Sequence, residues 1–265
     1  MLIALYSRLK AAGLLEAPWG RALLLWSYFQ YKRWIEDPFH HLVETRPDLF
    51  TGGHVLDIGA NLGYTATLFA RAIQPAYQVF SFEPGSSNCE LMRLVLARRG
   101  LEGRVSLTRA AVGRQPGRVR LFINRDHHAD HRVLTDALQR RVAGDAPSEE
   151  VLMVSVDQFV EVHGVGPICF VKIDVQGYEA EVCAGMANTL ERNPGACVAF
   201  EHSPGQSAEL GLDPEEPLRS FLDRGYQFSL LERGRALRPL TVAERQVRIK
   251  RRGYIDILAS RRSLV

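Results

Sequence analysis

Two carboxylates stand where an acid in an α/β chain can hold a nucleoside. Asp57 lies two residues before Gly59 in "VLDIGANLGYTATLFAR" (55 to 71), and Glu83 comes 26 residues after Asp57, closing the apolar run "YQVFSF" (77 to 82). Gly59 and Gly63 remove side chains where backbone must come close to a ligand, and the helix that follows offers unpaired N–H groups. A dinucleotide fingerprint would read G-x-G-x-x-G and face a pyrophosphate with the helix dipole. This loop reads G-A-N-L-G, with Asn61 at its centre and Asp57 placed to repel phosphate. Such an acid suits a nucleoside that bears an ammonium and no phosphate, a description met by S-adenosylmethionine, whose sulfonium adds a second positive charge. Glu83 can accept from both ribose hydroxyls, as the ribose acid of dinucleotide folds does.

The elements that must position these residues alternate. Strand patterns fall at 54 to 58, 77 to 82, 104 to 110, 168 to 174 and 196 to 202, and 226 to 232 and 254 to 260 complete seven. Helical patterns fill 63 to 73 and 87 to 99, the latter ended by Gly100. That alternation predicts an α/β fold with a mostly parallel sheet covered on both faces. In such sheets ligands settle beyond the carboxyl ends of the strands, where the strand order reverses. Between the third and fourth strands lies an insertion, about 111 to 167, with extra strands at 118 to 123 and 151 to 156 and a short helix in "VDQFVEVHG".

"VLDIGANLGYTATLFA", "VFSFEPGSSNCELMRLVL", "AAVG", "VSVDQFV" and "FVKIDVQGYEAEVCAGM" stand in the order found in FkbM-type S-adenosylmethionine-dependent methyltransferases, and from about residue 50 to 205 the chain resembles that family. The resemblance implies a Rossmann-like class I methyltransferase fold, with one strand of seven antiparallel, and methyl transfer to a hydroxyl oxygen. Similar sequences carry Glu after "KIDV", whereas this one carries Gln176, which puts in doubt any role needing a second carboxylate there.

For that chemistry Asp57, Gly59, Asn61, Gly63 and Glu83 are the cofactor-binding candidates, and Ala111, after the third strand, is expected to offer its backbone to the adenine. An in-line displacement at a sulfonium methyl rests first on alignment and second on a base for the hydroxyl proton. Asp174 at the end of the fourth strand and His202 at the end of the fifth would project toward the reacting centre. Asp174 could equally hold the ammonium or position the acceptor, and Lys172 on the same face could pair with it. Glu201 and His202 point to opposite strand faces, and either could turn into the cleft. "NRDHHADHRV" (124 to 133) packs three histidines and two aspartates into six residues, which is open to reading as a solvated loop, a substrate contact through Asp130, His131 or Arg132, or a metal site. Its "DHR" triplet matches one common in similar sequences, which favours a substrate loop with His131 in a catalytic place; no metal is expected.

Composition bounds the rest. At 265 residues, 46% hydrophobic and 24% charged, the chain suits one domain, taken as 51 to 265, behind a helical N-terminal cap of residues 1 to 50. A net charge of +3 does not point to nucleic acid; "RQVRIKRR" (245 to 252), without interleaved aromatics, reads as a solvated face. Four cysteines without a C-x-x-C pair suit a reducing cytoplasm. The run "ALLLWSYF" is too short to span a bilayer, so residues 1 to 36 read as amphipathic helices that cap the body or touch a membrane surface through Trp19, Trp26 and Trp34. The aromatic-rich cap could also pair two chains. The expected partner is a small molecule or sugar bearing a hydroxyl. Two other readings are a cofactor-binding scaffold without catalysis, recruited through the N-terminal segment, and a nicotinamide-dependent oxidoreductase, which the loop disfavours.

Overall fold

Apolar runs of four to six residues become the seven long strands of the larger of two sheets. The computed structural model describes residues 17–123, 131–142 and 147–264. In chain order the strands are β1 (His54–Ile58), β2 (Val79–Phe82), β3 (Val105–Thr108), β4 (Ala111–Val112), β5 (Gly117–Phe122), β6 (Arg132–Val133), β7 (Ser148–Val154), β8 (Ile168–Ile173), β9 (Cys197–His202), β10 (Gln227–Leu231), β11 (Arg238–Pro239) and β12 (Ile255–Ser260). The larger sheet runs β11-β10-β12-β9-β8-β1-β2-β3. Its seven long strands fall where the sequence places them, and β12 runs antiparallel to both β9 and β10. The two-residue edge strand β11, also antiparallel, is an addition the sequence did not announce.

Strand order reverses at β1: β2 and β3 lie on one side of it, β8 and β9 on the other. The carboxyl ends of β1 and β8 therefore flank the crevice in which ligands of open sheets bind. Side chains alternate between two apolar layers. Val55, Phe170, Cys197, Ala199 and Leu258 pack on one face with Phe50 and Phe69, while Leu56, Val171, Val198, Phe200 and Ile257 pack on the other. This phase decides which way every polar residue at the strand ends points.

The insertion builds the second sheet, β4-β7-β5-β6, around Ala111, Leu121, Val133, Val151 and Met153. β7 ends at Val154, short of the expected residue 156, because the Ser155 hydroxyl accepts the Gln158 N–H and starts the helix Val156–His163. That is an ordinary N-cap.

At the N-terminal side the helix Pro18–Tyr31 buries Leu24, Leu25 and Tyr28 and continues through a wider turn, Lys32–Glu36. Leu25 and Tyr28 belong to a small core with Leu62, Tyr64 and Val95. No described helix is long and apolar enough to cross a membrane. All four cysteines are buried and unbridged, and burial pushes the Cys169 thiol up to about 12, so they pack as small hydrophobes.

Candidate active site

The loop after β1 is shaped by its own neighbours. Gly59 has φ +78, and a Cβ there would lie 1.8 Å from the carbonyl oxygen of Asp174. Gly63 has φ +81, and its Cβ would meet Met92 Cγ at 2.8 Å. The sequence suggested that these glycines make room for a ligand; the close approach in both cases is to the protein itself. Asn61, at φ 51, donates its N–H to Glu83 Oε2 at 2.9 Å, while its buried Oδ1 accepts no hydrogen bond.

Glu83 is nearly fully buried at the end of β2, and its carboxylate also accepts from the Gly85 N–H (3.0 Å) and the Asn88 amide (3.2 Å). Burial pushes its pKa up, and these hydrogen bonds pull it part of the way back down. Three of about four acceptor positions on the carboxylate are thus taken by protein.

Asp57 has no exposed surface, and burial pushes its carboxyl up against the opposing pull of Lys172 and Thr65. Its Oδ2 accepts the Thr65 hydroxyl at 2.8 Å, and its Oδ1 lies 3.4 Å from Lys172 Nζ. Lys172, buried in β8 beside Asp57 of β1, donates to the Gly59 carbonyl at 2.7 Å and stands 3.8 Å from Asp174 Oδ2. A lysine, rather than open space, lies between the two aspartates.

Sheet phase then carries a row of acids along one face. Asp57, Lys172 and Asp174, Glu201 and Asp256 share the parity of Val55, Phe170, Ala199 and Leu258. Glu201 is the register partner of Asp256. A cleft of about 540 Å³, open to solvent, is lined there by Gly59, Ala60, Asn61, Tyr64, Thr65, Lys172, Asp174, Glu201, Tyr254 and Asp256, and is closed by Tyr28, Lys32, Glu36 and Asp37 from the N-terminal helix and the turn after it. Neither Asp57 nor Glu83 lines it.

The cleft is electrostatically unequal: five carboxylates face two ammonium groups. Burial, then Asp174, pushes Asp256 up to about 7, and burial with Asp174 and Asp256 pushes Glu201 well above the ordinary carboxylate range. Burial works against the Lys32 charge, yet Tyr28, Glu36 and Asp174 together raise it. Asp174 is held by Gln176, whose side-chain amide donates to its Oδ1 at 2.9 Å while its own oxygen accepts from Gln206 at 3.1 Å.

The remaining candidates fall elsewhere. His202 takes the parity of Val198 and Phe200, is absent from the cleft, and has its Nε2 3.8 Å from Glu215; burial, with Arg245 nearby, lowers it to about 4. Glu201 holds the cleft-facing place instead. His131 lies at the other end of the loop, where a Cβ on Gly85 would sit 3.2 Å from its Cδ2 and 3.0 Å from Glu83. It does not line the cleft. Ala111 is buried in β4, opposite Met153, away from the cleft. Arg132 pairs with Glu209 at 2.6 Å, and Asp130 with the rest of 124–130 lies outside the described residues. Among the described residues no group of three or more His, Cys, Asp or Glu is arranged to hold a metal. Sequence reasoning missed Asp256, Tyr254, Lys32 and Tyr28; the lone acid inside the apolar "YIDIL" was the available signal for the first.

A mostly parallel sheet with β12 running against its neighbours, a glycine loop after β1 and an acid closing β2 define a Rossmann-like class I methyltransferase. More narrowly, the chain belongs to the FkbM methyltransferase family: the family model "Methyltransferase FkbM domain" matches residues 57–228. Membership brings S-adenosylmethionine as the cofactor, and the excess of carboxylates in the cleft and the unmatched Asn61 oxygen fit a cationic, hydrogen-bonding molecule. Among solved structures, the chain is similar to the methyltransferase FkbM of Methylobacillus flagellatus (13% identity, 83% of this chain and 47% of that one, TM-score 0.50). It thus spans about half the length of that relative. Other similar structures are the O-methyltransferase TomG of Streptomyces achromogenes, solved with S-adenosylmethionine (14%, 86% and 80%, 0.49), and the O-methyltransferase of Bacillus cereus, solved with its demethylated product (15%, 97% and 89%, 0.47). Among curated proteins no relative matches the sequence.

Proposed function

We propose that the protein moves a methyl group from S-adenosylmethionine to a hydroxyl oxygen of a small molecule or sugar, with Glu201 and Asp256 as the proton acceptor. The observation that carries this reading is the pairing of those two carboxylates on the cleft face, both with pKa values pushed up by burial and by neighbouring acids. A base that titrates near neutrality suits removal of a hydroxyl proton as the oxygen attacks. Asp174 suits that task less. One of its oxygens accepts from Gln176 and the other faces Lys172, so it is better suited to hold the cofactor's ammonium.

When bound, S-adenosylmethionine supplies an electrophilic methyl carbon. The chain's own residues do the rest. Asn61 and the loop backbone orient the cofactor, and Glu83, with about one acceptor position left, takes a ribose hydroxyl. Asp57 acts through Lys172 as a positioning residue, fixing the ammonium group that ties β1 to β8. Alignment of oxygen, carbon and sulfur can contribute roughly 7–11 kcal/mol, and the base a further 10²–10⁴-fold at about neutral pH.

The experiment is methyl transfer from methyl-labelled S-adenosylmethionine to a panel of sugars, phenols and aliphatic alcohols, beside amines of matching shape. Label in an ether product supports the reading. Label only in amine products contradicts it.

A further inference from the structure

We infer that the N-terminal helix docks this protein on the headgroup layer of an anionic membrane. The chain has three tryptophans, and all three lie on this helix and the turn after it. Trp19, Trp26 and Trp34 are 58%, 62% and 58% exposed, with Leu23 and Ile35 also exposed among them. Trp19, Leu23 and Trp26 recur at the four-three spacing that stacks side chains on one face of a helix, and Gln30, next on that face, accepts the Trp34 indole N–H at 3.0 Å. Leu24, Leu25 and Tyr28 fill the opposite face and are buried. The helix therefore already has its core contact, and the tryptophan stripe is a second apolar face turned to solvent.

Charge selects the occupant. Residues 17–36 contain Arg21, Lys32 and Arg33 against one acid, Glu36, which pairs with Lys32 at the cleft. The Arg33 guanidinium lies 5.1 Å over the Trp34 ring, and Arg99, from a neighbouring helix, lies 4.2 Å over Phe29. Exposed indole rings, one of them under a guanidinium, suit the boundary between acyl chains and phosphate, where Trp sits at headgroup level and cations meet anionic lipid. No described helix is able to span, and an exposed apolar stripe along one helix face suits a segment lying along the surface. Tyr28, on its inner side, lines the acidic cleft, so docking sets the cleft about one helix diameter, roughly 10 Å, from the headgroups.

The test uses the full chain with vesicles of phosphatidylcholine alone or mixed in equal parts with phosphatidylglycerol. Because every tryptophan of the chain lies in this segment, intrinsic emission reads it directly. The expected result is a blue shift on the mixed vesicles, quenching by brominated lipid, and co-flotation. Substituting Trp19→Ser, Trp26→Ser and Trp34→Ser together should weaken flotation about tenfold or more while the circular dichroism melt is kept. Arg33→Glu should weaken it on the anionic vesicles. Emission unchanged by vesicles, equal flotation of wild type and triple variant, or equal binding to both vesicle types would overturn the inference. So would a blue shift produced by protein concentration alone, which would make a second copy the occupant.

Discussion

Glu201 of β9 stands directly across the antiparallel ladder from Asp256 of β12, and both side chains line the cleft beside the β1 loop. Neither residue is near the other in sequence. Burial and neighbouring acids raise both pKa values, and because the Asp256 charge acts on Glu201 the protons come off in steps that belong to the pair and not to either residue alone.

Catalysis should depend on that pair. Glu201→Gln and Asp256→Asn are each expected to lower kcat by about 10²–10⁴-fold and to leave cofactor affinity within a few-fold. In the wild type, kcat should rise with pH through about 7 as the pair gives up its proton. Steady-state kinetics across pH on wild type and variants checks both expectations.

The same carboxylates set a pH dependence of stability. Asp256 has a folded-state pKa of about 7, above its unfolded value, so its contribution is fully present below about pH 4 and is lost as pH climbs through about 7, and the raised Glu201 acts in the same direction. Asp256→Asn should therefore stabilise the fold above neutrality, by on the order of 1 kcal/mol because the open cleft screens the charge, and do little at low pH. Urea unfolding at two pH values reads the difference.

Lys172 holds Asp57 in a fully buried setting. Lys172→Met leaves that carboxylate without its cation, and a loss of about 3–5 kcal/mol is expected. Adding Asp57→Asn to Lys172→Met should recover most of it, as a double-mutant cycle by chemical denaturation would reveal.

The glycines separate by what surrounds them. Gly59→Ala should prevent folding, since its Cβ would overlap the Asp174 carbonyl. Gly100→Ala, also at positive φ but in open space, should cost only about 1 kcal/mol. Soluble yield and thermal melts distinguish the two.

Much of this was legible in the chain. The period of apolar runs gave the seven long strands, and the acid closing "YQVFSF" drew attention to Glu83 before any geometry was known. What strand alternation could not supply was the face. β8 is buried at every position and β9 at nearly every one, so no polar side marked which of Glu201 and His202 meets the cleft. Only the pairing of β9 with β12 and of β1 with β8 decides it, and such register links residues far apart in the chain. The same holds for Tyr28 and Lys32, brought to the cleft by packing of the N-terminal helix. A sequence shows neither the Asp174 carbonyl packed against Gly59 nor the Lys172 ammonium beside Asp57, so the contacts these residues make within the protein were not legible.

Titration calorimetry with S-adenosylmethionine and its demethylated product, on wild type, Glu83→Ala and Asp174→Asn, tests the central claim most directly. The wild type should bind both, and each substitution should weaken binding by about tenfold or more, the change expected when a charged partner loses its counterpart. Wild-type affinity that survives both substitutions would contradict a cofactor held between the end of β2 and the acid row at the end of β8.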